Sequence, residues 1–267
     1  MTIWEALFLG LVQGLTEFLP VSSSGHLVIT QFLLGVKEPG ITFEVFVHFG
    51  TLGSIFWVFF PDIKKLVMAG LFLNDDKVSR KMIFLIIVGC IPTGIIGIVF
   101  QPFFVGLFSS ILTVGIMLLV TGSILWLINW KVPGRKTTEK MSVSDALVVG
   151  LFQGFAIIPG ISRSGSTISA ALFRELNRET AIKYSFLLAL PAILGATVLE
   201  CRELFTAGVE SISVVPLALG TAAAFVSGVL AIRAFIQVLN TGKLHYFSYY
   251  CWMVGSLIIL WQGSQLL

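Results

Sequence analysis

Charged residues are scarce in this sequence of 267 amino acids: they make up only 12%, against about 25% in an average soluble domain. Hydrophobic residues make up 56%, and the mean hydropathy is +0.97. A globule this apolar could not cover its surface in water, so the composition predicts an integral membrane protein. The net charge is only +3, and the chain lacks a basic tail or a basic patch interleaved with aromatic residues, so we expect no nucleic-acid partner.

Cysteine is also rare, with only Cys90, Cys201 and Cys251 in the chain. Each lies in or beside an apolar run, and their spacing does not match a metal site, so we expect packing roles and no disulfide. The first 15 residues lack a basic segment, and no small-residue cleavage site follows them. We therefore expect no signal peptide.

Long apolar runs dominate the sequence. A membrane-spanning helix needs about 20 residues, and six runs are long enough: 43–60, 82–100, 109–130, 184–199, 212–232 and 246–266. Two further apolar segments, 3–34 and 146–173, are broken midway by proline, glycine and serine. Irregular backbone at membrane depth survives only where protein or a wet cavity satisfies it, so both segments are predicted to be re-entrant hairpins.

The two interrupted segments match each other at an offset of 140 residues. Residues 10–14 (GLVQG) align with 150–154 (GLFQG), and 22–25 (SSSG) with 162–165 (SRSG). The match indicates one membrane domain, 1–267, with repeats 1–133 and 142–267, each containing one hairpin and three spans. Because a hairpin returns to its own side and three is an odd number, the second repeat is inverted. The predicted fold class is an all-α integral membrane protein with two inverted-topology repeats.

Basic residues are distributed unevenly among the predicted loops. Fourteen of the 17 lie in loops on one side: Lys64, Lys65, Lys77, Arg80, Lys81, Lys131, Arg135, Lys136, Lys140, Arg174, Arg178, Lys183, Arg233 and Lys243. The other side has only Lys37 and Arg202, and Arg163 lies in the second hairpin. By the positive-inside rule, the basic loops are cytoplasmic and both termini face outside. The first hairpin then enters from outside and the second from inside.

Several polar residues of the hairpins are functional candidates, because an ionisable group in a membrane segment is costly. Gln13 and Glu17 are four residues apart on one helix face, and their oxygens suit a hard cation such as Mg²⁺ or Ca²⁺. His26 follows a Ser-Ser-Ser-Gly turn, whose hydroxyls and free N–H groups suit phosphate oxygens. Arg163 offers a planar, permanently charged fork for phosphate. Together these groups suit phosphoryl transfer.

Each candidate also has a simpler structural interpretation. Glu17 could pair with Arg163 across the repeat interface, His26 could be a neutral core residue, and the serines could satisfy the broken helices. Gln13 and Gln153 occupy matching repeat positions, so a structural role for both is an alternative to a metal role for one. At the level of function, a transporter or flippase for a lipid-linked or anionic substrate shares the inverted-repeat plan.

Two motifs carry a family resemblance. Residues 13–26 (QGLTEFLPVSSSGH) and 159–167 (PGISRSGST) resemble the two signatures of the undecaprenyl-pyrophosphate phosphatases of the bacitracin-resistance type. Span number, repeat plan and length also agree, so the resemblance covers essentially the whole chain. It implies a multi-pass enzyme of the bacterial inner membrane that hydrolyses undecaprenyl pyrophosphate to undecaprenyl phosphate and phosphate. It also implies a prenyl pyrophosphate substrate among membrane lipids and a divalent-cation requirement, and leaves a homodimer open.

The resemblance also implies roles for single residues. Glu17 bears on metal binding and catalysis, Ser23 is the candidate nucleophile, and His26 is base, acid or an alternative nucleophile. Arg163 would hold the pyrophosphate, and a metal-bound water is a third possible attacking group. The expected lining of the same pocket is Ser22, Ser24, Ser162, Ser164 and Thr167. Many members of the family have Glu at the position of Gln13, so metal binding at this position is expected to be weaker.

Overall fold

The computed structural model describes residues 1–36, 41–131, 134–207 and 213–264, without the side chains of 41 and 199–207. This part of the chain is all-helical, with one short 3-10 turn and a single isolated bridge between Lys136 and Leu176. The helices are α1 Ile3–Phe18, α2 Ser23–Leu34, α3 Ile41–Val58, α4 Phe60–Gly70, α5 Lys77–Val99, α6 Gln101–Phe108, α7 Ile111–Asn129, α8 Val143–Phe155, α9 Arg163–Phe173, α10 Arg178–Ala207, α11 Val214–Asn240 and α12 His245–Ser264.

Four of the six predicted spans are confirmed as helices long and apolar enough to cross a membrane. They are α5, α7, α11 and the Arg178–Val198 part of α10. On α5, Ile87, Ile91, Ile95 and Ile98 are all more than half exposed, at the three- and four-residue spacing of one helix face. Such a face belongs in lipid rather than in water, and the chain is a multi-pass membrane protein. The first residue of the run at 212–232 lies outside the described residues.

The other two predicted spans are also helices, but neither meets this criterion alone. The run at 43–60 forms α3 as far as Val58, and the chain then bends by 82° into α4. Pro61 in the first turn of α4 favours a helix start there, and Pro102 does the same for α6. Neither short helix was predicted, because only the length of the apolar runs was considered. The run at 246–266 forms α12, whose described part is too polar to count as a span by the same criterion.

Both interrupted segments are pairs of helices, as predicted. The first pair is α1 and α2, separated at 19–22, and the second is α8 and α9, separated at 156–162. Pro20 ends α1, because proline has no N–H and disfavours helical backbone in the preceding residue. Serine side chains then restart the helices: Ser22 accepts a hydrogen bond from the Gly25 N–H (3.3 Å), and Ser162 accepts one from the Gly165 N–H (3.1 Å).

Glycines let each interrupted segment pack closely against a long helix. A Cβ added to Gly10 of α1 would collide with the backbone carbonyl of Gly220 in α11. A Cβ added to Gly150 of α8 would collide in the same way with the carbonyl of Gly89 in α5. The close approach fixes the axial position of α1 relative to α11 and of α8 relative to α5. It therefore also fixes the position of the two helix breaks.

Candidate active site

The two helix breaks contact each other through hydrogen bonds. The Gly160 N–H donates to the Ser22 hydroxyl (3.1 Å), and the Ser164 hydroxyl donates to the Leu19 carbonyl (3.1 Å). Thr121 of α7 supports the second break, donating to the Gly160 carbonyl (2.8 Å). Polar backbone freed by the two breaks is therefore satisfied by protein, as irregular backbone at membrane depth requires.

One residue with a strained backbone lies at the tip of the first break. Ser22 has φ +69°, in a region that residues with a side chain rarely adopt. Such a conformation costs about 1–3 kcal/mol and persists only where surrounding contacts enforce it. Here the enforcing contacts are the two N–H groups that donate to the Ser22 hydroxyl, one of them from the other break. The turn is therefore a fixed scaffold for the residues that follow it.

Glu17 is the centre of the candidate site. Its Oε1 accepts a hydrogen bond from Arg163 Nη2 at 2.5 Å, forming an ion pair. Its Oε2 accepts from the Ser23 hydroxyl at 2.5 Å and from Gln13 Nε2 at 3.1 Å. The Glu17 side chain is only 8% exposed. Four residues that the sequence marked as candidates thus meet at one buried carboxylate.

Ser23 and Arg163 are the first residues of α2 and α9, and they occupy matching positions at the 140-residue offset. The two matching sequence positions therefore supply different chemistry: a hydroxyl from one and a guanidinium from the other. The Arg163 side chain is 14% exposed and that of Glu17 is 8% exposed, and Ser23 is also partly buried. The hydroxyl and the cation are thus somewhat more accessible than the carboxylate.

Two polar atoms of this cluster are buried without a hydrogen-bond partner within the described structure. They are Oε1 of Gln13 and Nη1 of Arg163. A buried polar atom without a partner is costly, so such an atom marks a place where a ligand can bind. The free guanidinium nitrogen suits an anion, and the free amide oxygen suits a cation.

The side chains of this cluster supply too few oxygen donors to hold a divalent cation by themselves, but enough for a cation that a phosphate ligand also coordinates. Within the described ranges, no group of three or more His, Cys, Asp or Glu residues could hold a metal. Glu17 and Gln13 supply one carboxylate and one free amide oxygen. Mg²⁺ is often held by one or two carboxylates together with substrate phosphates and water, and this pair of donors is adequate for that mode.

His26 lies on the first turn of α2, but its ring is held away from the carboxylate. Its Nδ1 is 2.8 Å from the Ser22 carbonyl, and its Nε2 is 2.8 Å from the hydroxyl of Tyr250 in α12. Because Ser23 already donates to Glu17, the group placed to receive the Ser23 proton is Glu17. Sequence reasoning missed Tyr250, which is separated from His26 by 224 positions.

The other residues expected to line the pocket mostly form hydrogen bonds within the protein. The Thr167 hydroxyl is fully buried and bonds the Arg163 carbonyl (2.8 Å) and the Ser185 hydroxyl (2.5 Å). Ser162 and Ser164 are also buried, at 1% and 0% exposure. Ser24 is more accessible, and its hydroxyl is 3.3 Å from that of Ser22. Of the expected lining, Ser24 is the residue best able to meet a ligand.

Comparison with known proteins gives a consistent result over nearly the whole chain. Residues 6–257 match the family model described as bacitracin resistance protein BacA. A relative named undecaprenyl-diphosphatase from Alkaliphilus metalliredigens is 49% identical over 97% of this chain and 98% of its own. The protein of that name from Halothermothrix orenii is 48% identical over 98% and 99%. Undecaprenyl-diphosphatase 3 from Bacillus cereus is 41% identical over 98% of both chains.

Proposed function

The chain belongs to the family of the bacitracin resistance protein BacA, and on that premise we propose that it hydrolyses undecaprenyl pyrophosphate to undecaprenyl phosphate and inorganic phosphate. The observation that carries the proposal is the buried Glu17 carboxylate, which holds the Ser23 hydroxyl and the Arg163 guanidinium side by side. A hydroxyl nucleophile, an adjacent base and a phosphate-binding cation are the groups that phosphoryl transfer needs. The product, undecaprenyl phosphate, would then be available again as the lipid carrier of cell-wall synthesis.

Ser23 is the attacking group in this proposal. Its Oγ forms a bond to the terminal phosphorus while its proton passes to Glu17, 2.5 Å away. The bond between that phosphorus and the bridging oxygen breaks, and undecaprenyl phosphate leaves with the bond electrons. Water then attacks the phosphoserine and adds its atoms to the departing inorganic phosphate, while the Ser23 Oγ takes back the proton held by Glu17, which restores both residues. The alternatives are attack by His26 and direct attack by water, and neither uses the short contact between Ser23 and Glu17.

Arg163 binds the pyrophosphate in this proposal. Its Nη2 holds Glu17, and its Nη1 is buried without a partner among the described residues, so that it can donate to a phosphate oxygen. Because arginine stays protonated at any physiological pH, its charge is available throughout the reaction. When the phosphate draws the guanidinium, the Glu17 carboxylate loses part of its counter-charge and becomes a better base for Ser23.

Glu17 and Gln13 would hold a divalent cation such as Mg²⁺ together with the pyrophosphate. Such an ion would supply charge stabilisation for the phosphate oxygens and the leaving group. With Gln13 in place of a second carboxylate, the site has one negative charge fewer, so affinity for the cation in the absence of substrate is expected to be low.

We further propose that the two halves are inverted repeats in a bacterial inner membrane, with both termini outside. Matching features at the 140-residue offset support the repeat. Thr2 with Glu5 and Ser142 with Asp145 form capping boxes that start α1 and α8. The glycine contacts of α1 and α8 and the serine caps of α2 and α9 also correspond. The asymmetry of basic loops supports the orientation, and the first hairpin then opens the site toward the outer face.

The experiment that tests the function is phosphate release by the purified full chain in detergent. Undecaprenyl pyrophosphate is the substrate, and each assay is run with Mg²⁺ and with a chelator. We expect one phosphate per lipid and loss of activity with the chelator. Absence of phosphate release in both conditions would contradict the proposal. The transporter alternative is not favoured, because the relatives above are named as diphosphatases.

A further inference from the structure

Helix α12 differs in composition from the apolar spans. Its first half contains His245, Tyr246, Tyr249 and Tyr250. Tyrosines near a helix end commonly mark the membrane interface, where the hydroxyl meets headgroups and water. Tyr246 and Tyr249 fit that role, since both are at least half exposed and lie in a cluster of aromatic rings. Tyr250 is also 39% exposed, but its hydroxyl contacts His26 of α2.

Tyr250 contacts His26 in a defined geometry. The two rings are nearly parallel, with centroids 5.6 Å apart and an interplanar angle of 12°. The Tyr250 oxygen is 2.8 Å from Nε2 of His26. Beside this contact, the Cys251 Sγ lies 3.7 Å from the Pro20 carbonyl and joins α12 to the break between α1 and α2. The start of α12 is therefore anchored at the turn that orients Ser23 and His26.

The hydrogen bonds of His26 determine its tautomer. A carbonyl oxygen can only accept, so Nδ1 must carry the proton that it donates to Ser22. In the neutral ring, Nε2 then holds the lone pair, and the Tyr250 hydroxyl donates to it. When the ring is protonated, the same hydroxyl can accept from Nε2, because a phenol is both donor and acceptor. Tyr250 can thus hold His26 in one orientation in either protonation state.

Resting on the proposed function, we propose that Tyr250 is a positioning residue of the phosphatase site. It fixes the orientation of the His26 ring on the helix turn that begins with Ser23, with Nε2 directed at the phenol oxygen, while the Ser22 carbonyl sets the Nδ1–H tautomer. It does not touch the reacting atoms: by holding His26, three residues after Ser23, it holds the helix turn that presents the Ser23 hydroxyl to Glu17, so its effect on turnover passes through His26. Neither motif of the sequence contains this residue, since it lies in the last helix of the chain.

The first test compares Tyr250→Phe with Tyr249→Phe. Both changes remove one hydroxyl from α12, but only the first removes the partner of His26. We expect Tyr250→Phe to lower kcat about tenfold, the effect of losing one hydrogen bond of about 1.4 kcal/mol, with KM unchanged within about twofold. Tyr249→Phe should keep kcat near that of the wild type. Equal kcat values in the two variants would overturn the proposal.

A double-mutant cycle tests whether the effect passes through His26. If it does, Tyr250→Phe should cost little further activity in the His26→Ala background. The same loss in both backgrounds would mean that Tyr250 acts independently, and the proposal would fail.

Nitrogen NMR of the histidine rings gives a readout that does not require activity. In ¹⁵N-histidine-labelled protein at about pH 8, where histidine is ordinarily neutral, the signals lost in His26→Ala assign this ring. We expect an Nδ1–H tautomer in the wild type and a changed Nε2 signal in Tyr250→Phe. An Nε2–H tautomer, or an Nε2 signal that Tyr250→Phe leaves unchanged, would overturn the proposal. Should the wild type release no phosphate, the proposed function fails while these spectra still report on the pair.

Discussion

At the scale of single residues, the site depends on a buried carboxylate that has more than one partner. Glu17 pairs with Arg163 and accepts from Ser23 and Gln13. Removing one member of a buried ion pair leaves an uncompensated charge and costs about 3–5 kcal/mol. Substitutions that delete Arg163 entirely would therefore confuse loss of catalysis with loss of folding, and a test must keep the charge.

Arg163→Lys keeps the charge and removes the second donor. We expect the rate of phosphate release to fall about 10²–10³-fold, the usual effect of losing one donor at a developing charge. The unfolding temperature should change little. The matched control is Arg174→Lys, which alters a partly exposed arginine that pairs with Asp145 at 2.7 Å, away from the site. Near-full turnover in Arg163→Lys would make Arg163 a structural counter-ion only.

Ser23→Ala removes the proposed nucleophile while leaving the Glu17–Arg163 pair in place. We expect turnover to fall by at least about 10³-fold, as for other nucleophiles that act together with a base. Phosphate release is the measurement, and Ser109→Ala, at the end of α6, is the control for loss of a serine elsewhere. Undiminished turnover in Ser23→Ala would show that water or His26 attacks directly.

The proximity of some candidates could be predicted from the sequence, while their catalytic roles stay predictions. The sequence match put Ser23 and Arg163 at equivalent positions, and the cost of charge in a membrane singled out Glu17, whose pairing with Arg163 was one of the interpretations considered. The contact between His26 and Tyr250 could not be predicted, because Tyr250 is one of several tyrosines in a distant helix and only the packing of that helix brings it to His26. Likewise, the family resemblance placed Thr167 in the pocket lining, but its hydroxyl bonds its own helix and Ser185.

At the scale of helices, close glycine contacts hold the broken segments in place. We expect Gly10→Ala to destabilise the protein by about 1–3 kcal/mol, because the new methyl group collides with the Gly220 carbonyl, which cannot move without shifting α11. The control is Gly94→Ala on α5, where a Cβ meets nothing within 4 Å. That change should be neutral or stabilising by up to about 1 kcal/mol.

Thermal unfolding of the purified variants in one detergent measures both effects. A Gly10→Ala protein as stable as Gly94→Ala would contradict the close approach of α1 and α11. The helix breaks themselves could be predicted from sequence, since Pro20 and the serine clusters interrupt apolar runs. The bend between α3 and α4 could not be predicted from hydropathy, because the residues at the bend, Val58, Phe59 and Phe60, are all apolar.

At the scale of the whole molecule, the proposed inverted repeat requires both termini on the same side of the membrane. We expect a C-terminal reporter fusion to be active only in its periplasmic or extracellular form. In a variant without the natural cysteines, Thr138→Cys in the loop between α7 and α8 should be protected from an impermeant thiol reagent until the cytoplasmic side is opened. A cytoplasmic C-terminus, or a labelled Thr138→Cys in intact cells, would contradict this topology.

The central claim is that both halves assemble one phosphatase site, in which Ser23 attacks beside Glu17 and Arg163. The most direct measurement is to mix the protein with undecaprenyl pyrophosphate labelled in its terminal phosphate, quench within one turnover and locate the label. We predict label on Ser23 that survives acid and is lost in base, as a phosphoserine behaves, and none in Ser23→Ala. Label on His26 that is lost in acid and survives base, or turnover with no labelled protein at any time, would contradict the account.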